Sequence, residues 1–267
     1  MAETRVTRIF VSCDTSPLGA AALDAAAVLA RQLDAELAGL YVEDANLLRM
    51  AALPFAYEIT TVSAVARRID VSAVEQGLRR QADAMRLALS KVAQALHVPW
   101  SFQVARGTLM DILLEEMREP GLAVLGHTGP FVMNGHAQGP HASAKSVHDA
   151  RRQPVLTLYD GTAPAHRALN VAIRMARPHR KAVVVMLVAD TDVERAQLRA
   201  RVEAELQGTG VTVHFQASPS RDVDRLKKAA WTRQAAVVLW PGLSGVHERK
   251  ALSTLVDELT CPVLLVT

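Results

Sequence analysis

The chain has 267 residues, of which 50% are hydrophobic, 21% are charged and 4% are aromatic, a composition that excludes disordered, collagen-like and disulfide-scaffold proteins. A formal net charge of +3 without a concentrated basic region argues against nucleic-acid binding. The longest apolar runs fall short of the ~20 residues that a membrane-spanning helix needs. We therefore expect no nucleic-acid and no membrane partner, and the two cysteines in apolar contexts favour a reducing cytoplasm.

The first predicted elements form a βαβ unit. A β-branched run over residues 6–13 predicts a strand, and the turn-forming segment Asp14 to Pro17 is suited to starting a helix. Apolar residues at helical spacing predict that this helix continues to about Leu33, and a strand over 36–42 follows.

Residues 43–70 show no continuous helical or strand-like spacing of apolar side chains, because Pro54 interrupts a mixed apolar stretch. We expect a short helix followed by a loop here. Residues 71–96 carry apolar side chains at steps of three or four throughout, which predicts a long amphipathic helix. A strand over 100–105, a helix after Gly107 and a fully apolar strand over 122–125 complete the first half.

The second half repeats this pattern. A strand over 154–159 ends at Asp160, as the first strand ends at Asp14, and four further helix–strand pairs follow. This order predicts an α/β fold of two Rossmann-like units with parallel open sheets, packed as a pseudo-dimer, over residues 1–153 and 154–267. Whether strand 154–159 serves one unit or both stays open.

Several segments resemble the universal stress protein family in its tandem form, whose fold is of the adenine nucleotide alpha hydrolase-like type. The resemblance extends over nearly the whole chain apart from the insert 43–70. The segments that carry it are Phe10-Val11-Ser12-Cys13-Asp14-Thr15-Ser16, Leu37-Ala38-Gly39-Leu40-Tyr41-Val42, Val124-Leu125-Gly126, Leu158-Tyr159-Asp160-Gly161-Thr162 and Cys261-Pro262-Val263-Leu264-Leu265-Val266. The resemblance implies a bacterial stress-response protein that binds an adenine nucleotide.

Nucleotide-binding members of this family carry three spaced glycines followed by Ser or Thr. Gly126, Gly129 and Gly139 meet the spacing here, but Pro140 stands in the Ser/Thr place and has no N–H to offer a phosphate. Counting back from the next strand by the family's usual interval reaches His141 instead of Gly139. The segment is therefore either a nucleotide cradle or a solvent loop with ordinary turn glycines.

The resemblance implies a site at the carboxyl ends of the first and fourth strands. Asp14 would lie at the ribose or adenine edge, beside Thr15, and Val42 would present backbone to the base. Gly126, Gly129 and Gly139 would line the ribose and phosphates, and His127 could touch phosphate. The expected cofactor is ATP, with or without Mg²⁺.

The second half departs further from the motif. Trp240 falls where the first glycine would be, and Arg249 and Lys250 take the Gly-Ser place, so we expect a degenerate, structural unit. Histidines 127, 136, 141 and 148 match no metal signature, and no activated nucleophile is evident. We expect no metal site and no catalytic residue.

The sequence therefore predicts a cytoplasmic regulatory protein that binds ATP or a related adenine nucleotide in its first unit and is not an enzyme. The alternative is a nucleotide-free scaffold in which both sites have decayed and the insert 43–70 recruits a protein partner. Two units in one chain can satisfy the family's dimer contact internally, so the chain is either a monomer with an internal pseudo-dimer or a homodimer.

Overall fold

The computed structural model of this chain describes residues 7–12, 17–59, 66–117, 121–126, 153–243 and 245–267. The strands are β1 (Arg8–Ser12), β2 (Glu36–Asp44), β3 (Tyr57–Ile59), β4 (Ala66–Arg68), β5 (Trp100–Gly107), β6 (Leu122–Leu125), β7 (Val155–Tyr159), β8 (Val183–Val188), β9 (Val213–Ser218), β10 (Val237–Pro241) and β11 (Val263–Val266). The helices are α1 (Pro17–Leu33), α2 (Ala45–Ala51), α3 (Val71–Leu96), α4 (Leu109–Glu116), α5 (Ala163–Ala176), α6 (Asp192–Leu206), α7 (Val223–Arg233) and α8 (Val246–Glu258), with a 3₁₀ turn at Arg177–His179.

Helix α3 has the bounds that its apolar spacing predicts. The side chain of Asp70 caps its first turn by accepting a 2.9 Å hydrogen bond from the backbone N–H of Ser72. His97 ends the helix in a left-handed conformation, with φ of 54°. Its buried stripe packs on the sheet and on α1, which explains why the periodicity was so regular.

Nine of the described strands form one continuous sheet in the order β5-β2-β1-β6-β11-β10-β7-β8-β9. The first four run parallel to each other, and so do the last five. The two sets meet at β6 and β11, which pair antiparallel from Leu122 opposite Val266 to Leu125 opposite Val263. The predicted α/β class of two Rossmann-like units is thus confirmed, with the two parallel sets sharing one sheet.

Two hydrophobic cores cover the faces of this sheet, and each runs through both halves. Alternate side chains point to opposite faces, so Ile9 and Val11 enter one core while Phe10 enters the other. Helices α1, α3, α5 and α6 cover the first face, and α4, α7 and α8 cover the second. The continuous sheet and the shared cores hold the two halves together.

Polar contacts reinforce the junction between the halves. The backbone N–H of Thr267 donates to the carbonyl of Gly121 at 3.1 Å, and the hydroxyl of Thr267 accepts from the N–H of Gly121 at 3.1 Å. The Nε of Arg167 donates to the carbonyl oxygen of Thr267 at 2.8 Å. Arg249 of α8 lies 3.5 Å from Asp111 of α4, so the helices beside the junction also contact each other.

The structure answers the question about strand 154–159. Strand β7 pairs with β8 and β10, which both belong to the second half, and it is the central strand of that set. The strand that joins the halves is β11, which lies beside β6 of the first half. The domain boundary at 153/154 itself stays a prediction.

The insert differs from the expected helix and loop. Helix α2 is followed by a short antiparallel hairpin in which Tyr57 of β3 lies opposite Arg68 of β4. Its strands have only three residues each, too few for an alternating pattern to be recognised. Ala51 packs with Val74 and Leu78 of α3 in a small separate core, which fixes the insert on the long helix.

Candidate functional site

The strand order places a crevice at the carboxyl ends of β1 and β6. The chain leaves β1 for β2 on one side and later returns to β6 on the other side, so the strand order reverses between β1 and β6. Open parallel sheets bind ligands outside such a reversal, where the loops diverge. Ser12 and Leu125 end the two strands in matched register, and the crevice opens just beyond them.

Gly126 lies at the floor of this crevice. Its backbone N–H donates to the carbonyl of Ser12 at 3.1 Å, which extends the pairing of the two strands by one residue. A Cβ at this position would lie 3.2 Å from the Cα of Gly19 and 3.4 Å from the Cβ of Ala22, both in α1. The end of β6 therefore approaches the first turns of α1 more closely than a larger residue allows.

Val42 lies on the neighbouring strand, beyond the end of β1. Strand β1 pairs with β2 only as far as Gly39, whereas β5 pairs with β2 through Asp44, with Val42 opposite Ala105. Residues after Gly39 thus extend past β1 toward the crevice. The side chain of Glu43 is held by the Arg106 guanidinium at 2.9 Å, which braces this strand end.

Five of the residues implied by the resemblance lie outside the described residues: Asp14, Thr15, His127, Gly129 and Gly139. The structure places Val42 and Gly126 at the carboxyl edge of the sheet, on β2 and after β6, with β1 between them. The four histidines weighed as metal ligands also lie outside the described residues. Where the structure describes the chain, no three His, Cys, Asp or Glu side chains are placed to hold a metal ion.

An ion-pair network occupies part of the equivalent crevice of the second half. The guanidinium of Arg221 lies 2.6 Å from Asp160 Oδ2 and 2.8 Å from Glu248 Oε1. The same guanidinium donates to the carbonyl oxygen of Pro241 at 2.9 Å. Because these groups come from the ends of β7 and β10 and from α8, the side chain of Arg221 spans the crevice between β7 and β10.

The pKa of Asp160 results from two opposing effects, burial and hydrogen bonding. Burial alone would raise that pKa, but hydrogen bonds from Thr162 and Arg221 favour the carboxylate and hold the pKa below its ordinary value. Thr162 contributes both its backbone N–H, at 3.0 Å, and its hydroxyl, at 2.6 Å. Asp160 is therefore a charged, fully engaged partner of Arg221 at neutral pH.

The sheet register corrects one assignment in the second half by one residue. Because Asp160 matches Asp14 in the sequence, Val155 is equivalent to Ile9. Ile9 is opposite Leu122 in the first half and Val155 is opposite Val237 in the second. Counting along each strand, Leu125 then corresponds to Trp240 and Gly126 to Pro241. Trp240 is fully buried in the core, and its indole N–H has no hydrogen-bond partner among the described residues. Pro241, with no N–H and a ring, stands where the glycine would be, so the second unit cannot form the same backbone cradle.

A shallow cavity of about 310 Å³ remains next to this network, at the carboxyl ends of β7 and β8. Its lining includes Asp160, Val188, Leu198 and Arg201. By the same register Val188 corresponds to Val42, since Leu37 is opposite Ile9 and Val183 is opposite Val155. Only the part of the crevice nearest β10 is filled by Arg221.

A second polar cluster lies beneath the same strand end. The hydroxyl of Tyr159 lies 3.1 Å from His166 Nε2, and His166 Nδ1 lies 2.8 Å from Glu205 Oε1. Burial raises the pKa of Tyr159 to about 12, with a further contribution from the negative charge of Glu205. The cluster links β7, α5 and α6 and keeps the tyrosine neutral.

No local sequence pattern marks Arg221 or its partners. Asp160 is 61 residues away from it and Glu248 is 27 residues away. Arg221 directly precedes Asp222, which caps α7. In the sequence, this segment therefore resembles any other helix N-terminus. Their meeting depends on the order of the strands, which brings the ends of β7 and β10 together.

Comparison with known proteins gives matches to solved structures. No protein-family model and no curated protein sequence matches the chain. The crystal structure of a universal stress protein from Archaeoglobus fulgidus DSM 4304 superposes with a TM-score of 0.61 at 13% identity, over 97% of this chain and 96% of that one. This chain has the universal stress protein fold.

Two further structures are similar at lower scores. A universal stress protein from Pseudomonas aeruginosa UCBPP-PA14 has a TM-score of 0.46 at 12% identity, over 98% of this chain and 93% of that one. A universal stress protein in complex with cAMP has a TM-score of 0.38 at 17% identity, over 43% of this chain and 96% of that one. The universal stress protein fold does not by itself define an activity.

Proposed function

We propose that this protein is a cytoplasmic regulatory protein that binds ATP or a related adenine nucleotide in its first unit. The observation that carries the proposal is the close approach of Gly126 to α1 at the reversal of strand order. The glycine lets the strand end lie close to the first turns of α1, and the free N–H groups and partial positive charge of a helix N-terminus favour phosphate oxygens bound in the crevice beside it. Val42 lies at the adjoining strand end, where the base would bind.

The arrangement of the second unit supports one nucleotide per chain. Pro241 stands in place of Gly126, and Arg221 spans the crevice that a triphosphate would need. The guanidinium is already neutralised by Asp160 and Glu248, so it offers little free positive charge to a phosphate. We infer that this unit stabilises the shared sheet and that the first unit holds the ligand.

The proposed output is a conformational change and not a fast chemical step. The residues implied around the nucleotide are chiefly glycines and strand ends, which bind through backbone groups. Phosphoryl transfer requires positioned charges that stabilise the transition state, and none of these residues supplies one beyond Asp14 and His127. We therefore infer little or no hydrolysis of bound ATP.

A second candidate function is a scaffold without nucleotide, and one observation favours it. The insert carries four large apolar side chains that are well exposed to solvent: Met50, Leu53, Phe55 and Tyr57. Exposed apolar patches commonly mark interaction surfaces. In that case the insert, and not the crevice, would carry the function.

Native mass spectrometry after incubation with ATP distinguishes the two candidates. Binding in the first unit predicts a mass increase of a single nucleotide per chain, and the bound nucleotide should remain ATP and not become ADP. A chain that keeps its unliganded mass at millimolar ATP would reject the nucleotide proposal and favour the scaffold. Repeated conversion of ATP to ADP would reject the inference of little or no hydrolysis but would leave nucleotide binding supported.

A further inference from the structure

The insert presents an apolar loop that projects from the surface. We call residues 50–57, which run from the end of α2 to the start of β3 with the sequence Met-Ala-Ala-Leu-Pro-Phe-Ala-Tyr, the 50–57 loop. Phe55 is 71% exposed, Tyr57 60%, Met50 55% and Leu53 43%, and residues 52–55 are all exposed. A segment exposed along consecutive residues points into solvent and does not line a groove.

The loop is anchored to helix α3 through a small apolar core. Ala51 is buried against Val74 and Leu78 of α3, and Leu47 and Leu48 of α2 pack at the edge of the same small core. Two backbone hydrogen bonds fix the turn, from the N–H of Leu53 to the carbonyl of Met50 and from the N–H of Ala56 to the carbonyl of Leu53, each at 3.1 Å. The insert thus uses one set of apolar residues for anchoring and displays another.

The chemistry of the loop is unusual for a protein interface. Protein interfaces carry a polar rim and regular hydrogen bonds across them. Between residues 50 and 57 the only side chain that can form a hydrogen bond is the hydroxyl of Tyr57. The acyl chains of a lipid bilayer form no hydrogen bonds with side chains that enter them. They also adapt to an exposed loop, so no complementary concave surface is needed.

An arginine lies near each end of the loop, although Glu58 directly follows Tyr57 in the sequence. Arg49 precedes it, and Arg68 lies opposite Tyr57 in the β3–β4 hairpin. Both arginines are exposed, and neither has an ion-pair partner among the residues that the structure describes. Asp70 is also exposed nearby but caps α3. Arginines at the rim of an apolar loop can extend to phosphate groups while their methylene stems lie along the acyl chains.

We propose that the 50–57 loop docks the protein onto the surface of an anionic lipid bilayer. Met50, Leu53 and Phe55 would enter the outer acyl region, Tyr57 would lie at the interface, and Arg49 and Arg68 would contact lipid phosphates. A second copy of the chain is disfavoured as the occupant, because self-association would bring the same arginines together. This docking is peripheral and replaces the expectation of no membrane partner, and it does not depend on nucleotide binding.

No helix among the described residues has the length and apolarity to cross a bilayer. Co-sedimentation tests the proposal with vesicles of phosphatidylcholine alone and of phosphatidylcholine mixed with phosphatidylglycerol. We expect the full chain to sediment with the mixed vesicles and much less with phosphatidylcholine. Leu53→Ser combined with Phe55→Ser should weaken binding about tenfold or more, because two apolar side chains are lost. Arg49→Gln should weaken binding to the mixed vesicles about fivefold. Added salt should also weaken this binding, because it screens the attraction between arginine and lipid phosphate.

Val193→Ser is the matched control, since Val193 is 69% exposed on α6 of the other half and its loss should leave vesicle binding unchanged. All these side chains are exposed, so circular dichroism should show an unchanged fold for each variant. Absence of sedimentation with the mixed vesicles would overturn the proposal. Equal binding by the Leu53/Phe55 double variant and the unmodified chain would overturn it as well, and would assign the vesicle contact to another surface.

Discussion

The guanidinium of Arg221 lies 2.6 Å from the carboxylate of Asp160, although 61 residues separate them in the chain. Both side chains are only 18% exposed, so the pair is largely removed from water. Together with Glu248 and the carbonyl of Pro241 it closes the part of the second crevice nearest β10.

Replacement of Arg221 tests the importance of the network for stability. Arg221→Met would leave Asp160 and Glu248 without their shared partner in a half-buried place, and we expect it to lower the free energy of unfolding by about 2–3 kcal/mol. Urea unfolding followed by circular dichroism measures the change. Arg225→Met is the control, because the pair of Arg225 with Asp222 is exposed and should contribute less than about 1 kcal/mol. Equal losses in the two variants would contradict the special position of Arg221.

The same network predicts a specific loss of stability in acid. The folded pKa of Asp160 lies below its ordinary value of 3.8, so the carboxylate stabilises the fold fully above that value. The stabilisation disappears as the pH falls through the lower, folded pKa. Urea midpoints measured from pH 6 downward should therefore fall less steeply below about pH 4 in Asp160→Asn than in the unmodified chain. Parallel curves for the two proteins would show that Asp160 does not carry the effect.

Gly126 is predicted to be required for packing whether or not a nucleotide binds. A Cβ at this position would press on Gly19 and Ala22, and we expect Gly126→Ala to lower the free energy of unfolding by about 1–2 kcal/mol. Gly77→Ala is the counterpart, because Gly77 lies inside α3 with nothing nearer than 4.0 Å to the added Cβ. That variant should be more stable by about 0.5–1 kcal/mol. If Gly126→Ala left the free energy of unfolding unchanged or raised it, α1 would be able to move away from the added Cβ, and the prediction would be wrong.

Much of the fold could be predicted from the sequence, because regular elements depend on local patterns. The apolar spacing of α3 and the continuous apolar run of β6 fixed both elements at their observed bounds. Alternation of helix and strand was enough to predict parallel sheets. The hairpin at Tyr57 and Arg68 could not be predicted, since its strands are too short to show a period.

The candidate site could be predicted only in part. The family resemblance implied a site at the carboxyl ends of the first and fourth strands, and in the structure β6 ends beside β1. The antiparallel joining of β6 to β11 and the meeting of Arg221 with Asp160 depend on which strands become neighbours. Such contacts between distant parts of the chain leave no periodic trace in the sequence.

The most direct test of the proposed function is a calorimetric titration of the full chain with MgATP. The account predicts saturable heat with one site per chain, loss of that heat in Gly129→Arg, and retention of it in Ala200→Arg, which adds the same charge to an exposed position on α6. The absence of saturable heat from the unmodified chain at millimolar MgATP, or full binding by Gly129→Arg, would contradict a nucleotide site in the first unit.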